Sequence, residues 1–170
     1  QTNHRNNTVT WDSAMLLFLS KLNFEIIYIT NFDYQKFAEK GEKYLESFWT
    51  DEVYQYQKQY SNFEKEQKLA KKLIKNKDIR ILKRSAKLSD LKTLFSKGYL
   101  IMIPINPFIL ENKKWFGNHM VLITGITKQF IYFHDSGLPP YKNRKTTLEK
   151  FWKAASNNNS RSVDLIAVKR

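Results

Sequence analysis

Two apolar stretches near the end of the chain limit its folding most. The first is Gly117-Asn118-His119-Met120-Val121-Leu122-Ile123-Thr124-Gly125, and the second is Phe130-Ile131-Tyr132-Phe133-His134-Asp135-Ser136-Gly137. Each is short, rich in β-branched or aromatic residues and bounded by turn residues, so each reads as a β-strand. The connection near Lys128-Gln129 is tight, which predicts an antiparallel hairpin. A histidine opens the first strand and an aspartate closes the second. The hairpin therefore brings His119 and Asp135 to the same end, as a carboxylate that orients an imidazole for general-base work requires. On its own, His119 fits a hydrogen-bonded structural histidine, and Asp135 fits an Asx-turn residue. His134 should point to the opposite face and is assigned a structural or surface role.

The third member of such a site is missing: the chain contains no cysteine. That excludes disulfides and thiolate metal sites within these residues. The three histidines, His4, His119 and His134, lack metal-ligand spacing, so no metal and no cofactor is expected.

A chain of 170 residues is long enough to bury a core in one domain, and 42% hydrophobic with 15% aromatic residues argues against disorder. No apolar run approaches the roughly 20 residues of a membrane-spanning helix, and residues 1–10 carry no apolar h-region. These features leave the compartment open, with the cytoplasm favoured. The formal charge of +13 favours anionic partners. The basic residues are nevertheless spread through a Lys-, Asn- and Ile-rich sequence without a recognition motif, which argues against nucleic-acid binding as the main function.

Further along, residues 11–22 read as a buried helix capped by Thr10, and residues 24–29 as a strand. Residues 34–75 read as helical, with Thr50 capping one segment and Ser61-Asn62-Phe63-Glu64 forming a capping box for the next. Residues 79–82 read as a strand. Ser89 is expected to cap a helix over 90–97 that Gly98 stops. Residues 100–105 come next as a buried strand, with Pro104 placing it at an edge or taking it out of the sheet. Residues 106–118 are expected to be loop and 138–141 a turn. Thr146 or Thr147 should cap a helix reaching Ala155, followed by a loop at 157–159 and a last strand over 163–168. The predicted class is α+β, with helices first and an antiparallel sheet later.

Several of these segments together resemble a known family. The strand from Asn118-His119 to Thr124-Gly125, the strand closing at Asp135, Pro140, and the aromatic helix Phe151-Trp152-Lys153-Ala154 are similar to papain-like cysteine peptidases of the bacteriocin-processing, double-glycine type (peptidase family C-thirty-nine-like). Residues 91–105 fit the same pattern, and residues 11–29 resemble the helix and strand that lie after the nucleophile helix in that family. The likeness spans most of the chain and is densest from Leu88 onward. It implies a papain-like fold, with His119 as the base that activates a thiol and Asp135 as its orienting acid. It also implies a Cys at a helix N-terminus and an upstream Gln as oxyanion donor, and neither is found at suitable spacing. Ser136 stands where the family usually has Pro, which leaves the two roles unchanged.

The missing Cys has three explanations. The favoured expectation is a single domain over residues 1–170 that lacks its N-terminal nucleophile helix, so that the thiol comes from outside these residues. The absent initiator Met agrees with this. Alternatively, the protein is a non-catalytic relative that binds a peptide. As a third reading, Ser13 replaces Cys, against which Asp12 beside it would oppose a nucleophilic anion. The expected partner is a peptide or protein, and Trp115 and Phe116, just before His119, are candidates for a substrate wall. Peptidase and transferase share acyl-enzyme chemistry and are not separated by sequence.

Overall fold

The computed structural model describes residues 11–115, 117–137, 139–156 and 162–170. The chain divides into two compact units. The first takes in residues 11–26, 32–80 and 170, and the second residues 27–31 and 81–169, in both cases as far as they are described.

The first unit is helical. Its elements are α1 (Asp12–Lys21), α2 (Tyr34–Lys40), α3 (Glu42–Phe48), α4 (Asp51–Tyr60) and α5 (Phe63–Leu73). Capping side chains set the starts of α2, α4 and α5, by accepting bonds from backbone N–H groups that have no partner within the helix. The Asp33 side chain accepts from the Lys36 N–H at 2.9 Å, Thr50 from Val53 at 3.5 Å and Asn62 from Lys65 at 2.9 Å. The α5 cap is thus Asn62 rather than Ser61, one residue later than the capping-box spacing predicts. Ser61 is engaged elsewhere: its hydroxyl donates to Gln57 and accepts from the Trp11 indole.

Gly41 divides α2 from α3 at φ 57°, a left-handed value that costs glycine little. A Cβ there would also lie 3.0 Å from Gln67 Nε2, which donates to the Ala38 carbonyl. Aromatic rings fill the space between the helices. Phe32 meets Trp11, Phe37, Tyr44 and Phe48 edge-on, with centroids 5.3 to 5.9 Å apart. The Tyr44 hydroxyl accepts the Asp33 N–H at 2.8 Å, which ties this cluster to the start of α2.

Helix α1 departs from expectation. Its buried stripe is Ser13, Leu16 and Ser20, while Phe18 is 52% exposed. A helix that is apolar nearly all round gives no sign of which face will be covered. Its predicted cap, Thr10, lies outside the described residues, and the observed N-cap, Trp11, makes no side-chain capping bond.

The second unit carries most of the sheet. Its strands run β2 (Ile79–Lys83), β1 (Glu25–Thr30), β7 (Leu165–Lys169), β3 (Leu100–Ile105), β4 (His119–Ile126), β5 (Phe130–Asp135) and β6 (Tyr141–Thr147) across the sheet. The pairings β3–β4, β3–β7, β4–β5 and β5–β6 are antiparallel. The helices of this unit are α6 (Leu88–Ser96), α7 (Pro107–Leu110) and α8 (Leu148–Ser156). The order is α+β, with helices before most of the strands, as the sequence predicts.

Ile101, Ile103, Val121, Ile123, Ile131 and Phe133 alternate along β3, β4 and β5 and build the core. Helix α8 adds Leu148, Phe151, Ala154 and Ala155 from one face. The Phe133 and Phe151 ring centroids lie 5.2 Å apart. Gly98, at φ 81°, ends α6 as predicted. The α6 start is set not by Ser89 but by Asp90, which accepts the Lys87 N–H at 2.7 Å and pairs with Arg84.

Three segments differ from the sequence reading. β3 is internal, and Pro104 is accommodated because pairing with β7 covers only residues 100–102. Residues 107–110 form α7, with Asn106 as cap and Pro107 at its first position. Residues 141–147 form the edge strand β6, which the sequence reading did not assign. After Tyr141, β6 is made of charged and polar residues, so it lacks the apolar period by which strands are recognised, and such charge is usual on an exposed sheet edge. Thr147 does cap α8, accepting the Lys150 N–H at 3.2 Å. The loop expected at 157–159 lies outside the described residues.

Glu66 in α5 yields a pH prediction. It is buried, and its Oε2 has no hydrogen-bond partner among the described residues. Burial, opposed by Lys65 and reinforced by Asp12, pushes its carboxyl up to about 7. The native state therefore holds this proton more tightly than the unfolded chain, where a Glu titrates near roughly 4.3. Stability should fall as pH rises through that window and level off above about 7. Denaturant titrations should find Glu66→Gln more stable than wild type at pH 8, with the gap narrowing toward pH 4.

Candidate functional site

The site lies at one end of the β4–β5 hairpin. Register puts Val121 opposite Asp135, which leaves His119 beyond it on β4, level with Gly137. Side chains alternate faces along a strand, so His119 shares the core face with Val121 and Ile123, and Asp135 shares it with Phe133 and Ile131. His119 opens its strand, and its side chain remains 26% exposed, while that of Asp135 is 4% exposed. The imidazole is thus reachable and the carboxylate that holds it is not. On its other side, β4 pairs with β3 through His119 and Ile105.

His119 Nε2 lies 2.5 Å from Asp135 Oδ1. An ionised carboxylate only accepts, so Nε2 carries the proton and donates. Nδ1 is then the unprotonated nitrogen of the neutral ring, and it has no hydrogen-bond partner among the described residues. That nitrogen can take a proton from an incoming nucleophile.

Asp135 is fixed at both oxygens. Oδ1 also accepts the Gly137 N–H at 3.0 Å, and Oδ2 accepts from Arg144 Nη1 at 2.7 Å. Burial alone would raise this carboxyl. The Gly137 N–H, the Arg144 guanidinium and His119 outweigh it and hold the group below its ordinary value. Asp135 therefore stays ionised at neutral pH despite its burial.

Gly137 has a steric reason to be glycine. A Cβ there would stand 2.9 Å from His119 Cε1, 3.1 Å from Asp135 Oδ1 and 3.2 Å from His119 Nε2. The loop backbone lies directly against the pair. Ser136 anchors the same turn by donating to the Met120 carbonyl at 2.8 Å.

His134 faces away, as expected. Its Nδ1 accepts the Asn143 N–H at 3.2 Å, beside the register shift between β5 and β6. Trp115 is 72% exposed and meets Phe108 edge-on at 5.7 Å. Its carbonyl accepts from the buried Asn106 side chain at 3.3 Å. Phe116 lies outside the described residues. Ser13 is fully buried in the helical unit, and its hydroxyl has no partner among the described residues. Arg144 is the site residue that sequence reasoning missed. It sits in a Lys-Asn-Arg-Lys run on an unrecognised strand, and only the β5–β6 pairing brings it to Asp135.

Among the described residues, no group of three or more His, Asp or Glu side chains is placed to hold a metal ion, and no helix is long and apolar enough to cross a membrane. The chain is thus α+β, with a strand-end histidine bonded to a buried aspartate. A family model described as a Peptidase_C39 like family matches residues 44–154, a stretch that includes both His119 and Asp135, and the chain belongs to that family. No curated protein matches the chain.

Gly137→Ala tests the fit of the loop. The added methyl group should displace the His119 ring and destabilise the chain by about 1–3 kcal/mol. Denaturant unfolding checks the loss, and the His119 ring resonances should report a broken contact with Asp135.

Proposed function

We propose that this chain is the base-bearing body of a cysteine peptidase-like domain that acts on acyl groups of a peptide substrate. In this reading the nucleophilic thiol comes from outside residues 1–170. The observation that carries it is the His119–Asp135 pair: Nε2 is bound to a buried carboxylate, and Nδ1, on a reachable ring, has no hydrogen-bond partner among the described residues. His119 would take the thiol proton at Nδ1, and the sulfur would attack the substrate carbonyl carbon. The same proton would then pass to the departing amine, leaving an acyl-thioester for water or another acceptor. Asp135 would hold the ring in the required tautomer and stabilise the imidazolium that forms. Trp115, exposed before His119, supports a wall for an extended peptide, for which a large aromatic surface is suited.

The absence of cysteine from the sequence favours a second reading, a relative that binds a peptide without cutting it. In that case the pair is a structural remnant, and His119→Ala would leave peptide binding intact. The test is mild iodoacetamide labelling of the full gene product at pH 6, followed by intact mass. The proposal expects one reactive thiol, with labelling slowed roughly tenfold or more in His119→Ala. Equal rates in the two proteins would remove His119 as the base. No thiol in the full product would establish the non-catalytic reading.

A further inference from the structure

Among the described residues, Asp135 has an arginine as well as a histidine on its carboxylate. Arg144 reaches it from the neighbouring strand β6, with Nη1 at 2.7 Å from Oδ2. Its other terminal nitrogen, Nη2, lies 3.9 Å from Glu111 Oε1, just past the end of α7. Glu111 is itself paired with Lys113 at 2.7 Å. The guanidinium is only about one-fifth exposed. A line of alternating charge thus runs from Glu111 through Arg144 to Asp135, and the carboxylate in turn accepts from His119. It connects the start of the segment bearing Trp115 to the proposed base.

We infer that Arg144 is a positioning residue: it clamps Oδ2 of Asp135 so that Oδ1 alone is presented to His119 Nε2. The inference rests on the reading of His119 as a base. A carboxylate has two equivalent oxygens and rotates readily. With Oδ1 also holding the Gly137 N–H and Oδ2 held by Arg144, neither rotation nor protonation is easy. The planar, permanently charged guanidinium suits this role better than a flexible ammonium. It also offsets the penalty of burying an anion beside a histidine that must be able to remain neutral.

Among the described residues, the carboxylate meets His119 on β4, the Gly137 N–H and Arg144 on β6, with Tyr141 of β6 paired opposite it and Glu111 and Lys113 beyond Arg144. Carbon-13 labelling of aspartate allows the Asp135 carboxyl to be titrated directly in the full chain. In Arg144→Gln its midpoint should rise by roughly a unit or more, because an adjacent cation has been lost. In Arg144→Lys it should return most of the way to wild type. β6 is an edge strand, so neither side chain disturbs interior pairing. A midpoint in Arg144→Gln equal to that of wild type would overturn the inference, since Gly137 and His119 would then suffice. So would a shift in Arg144→Lys as large as that in Arg144→Gln. If Arg144→Gln does not fold, Arg144→Lys alone decides: a near-wild-type midpoint supports the clamp, and a shift of a unit contradicts it. Because the readout is a titration, it stands apart from thiol labelling, and failure of either test leaves the other interpretable.

Discussion

Burial of the Asp135 carboxylate is the constraint around which this site is built. An ionised carboxylate away from water is costly unless each oxygen is satisfied. Here three donors from three places meet it: the His119 ring from β4, the Gly137 N–H from the following turn, and Arg144 from β6. The Gly137 bond is local to the turn, but the other two depend on register. Slipping β4 by one residue would turn His119 to the other face, and slipping β6 would do the same to Arg144. The apolar core beneath β4 and β5 therefore does more than stabilise the sheet. It fixes the phase in which polar residues arrive at the strand ends.

The same logic explains why, of the histidines at 119 and 134, one meets the buried carboxylate and the other does not. Period-two alternation puts His119 on the face of Val121 and Ile123, at the point where that face opens to solvent. It puts His134 on the opposite face, where its ring caps the Asn143 N–H at an irregularity in the β5–β6 ladder. Gly137 completes the arrangement by absence: any side chain there would occupy space taken by the imidazole.

The hairpin, its two ends and the His119–Asp135 encounter could be read from sequence because alternation and a tight turn determine them. The aromatic helices and the stop at Gly98 were legible for similarly local reasons. β6 was not, because an edge strand is written in Lys, Asn, Arg and Thr and carries no apolar period. Arg144 was hidden with it, since the importance of a charged residue on such a strand depends on which neighbour it pairs with. α7 left a usable signal in Asn106-Pro107, a cap followed by proline at the first helical position. For α1 the limitation was different: a helix apolar nearly all round does not reveal which face is covered, and two serines occupy its buried stripe. Membership of the Peptidase_C39 like family agrees with the resemblance carried by the strand and turn motifs. The origin of a thiol is a separate question, which a sequence without cysteine leaves to the full gene product.

The central claim is that Asp135 binds Nε2 and so leaves Nδ1 as the basic nitrogen. Long-range nitrogen-15 to proton correlation spectra of the His119 ring, recorded in its neutral form, test this directly. The account predicts a protonated Nε2 and an unprotonated Nδ1, with the Nε2 proton shifted far downfield by its short bond to the carboxylate. A neutral ring protonated on Nδ1, or an even mixture of tautomers, would contradict it and leave His119 without a base directed at a nucleophile.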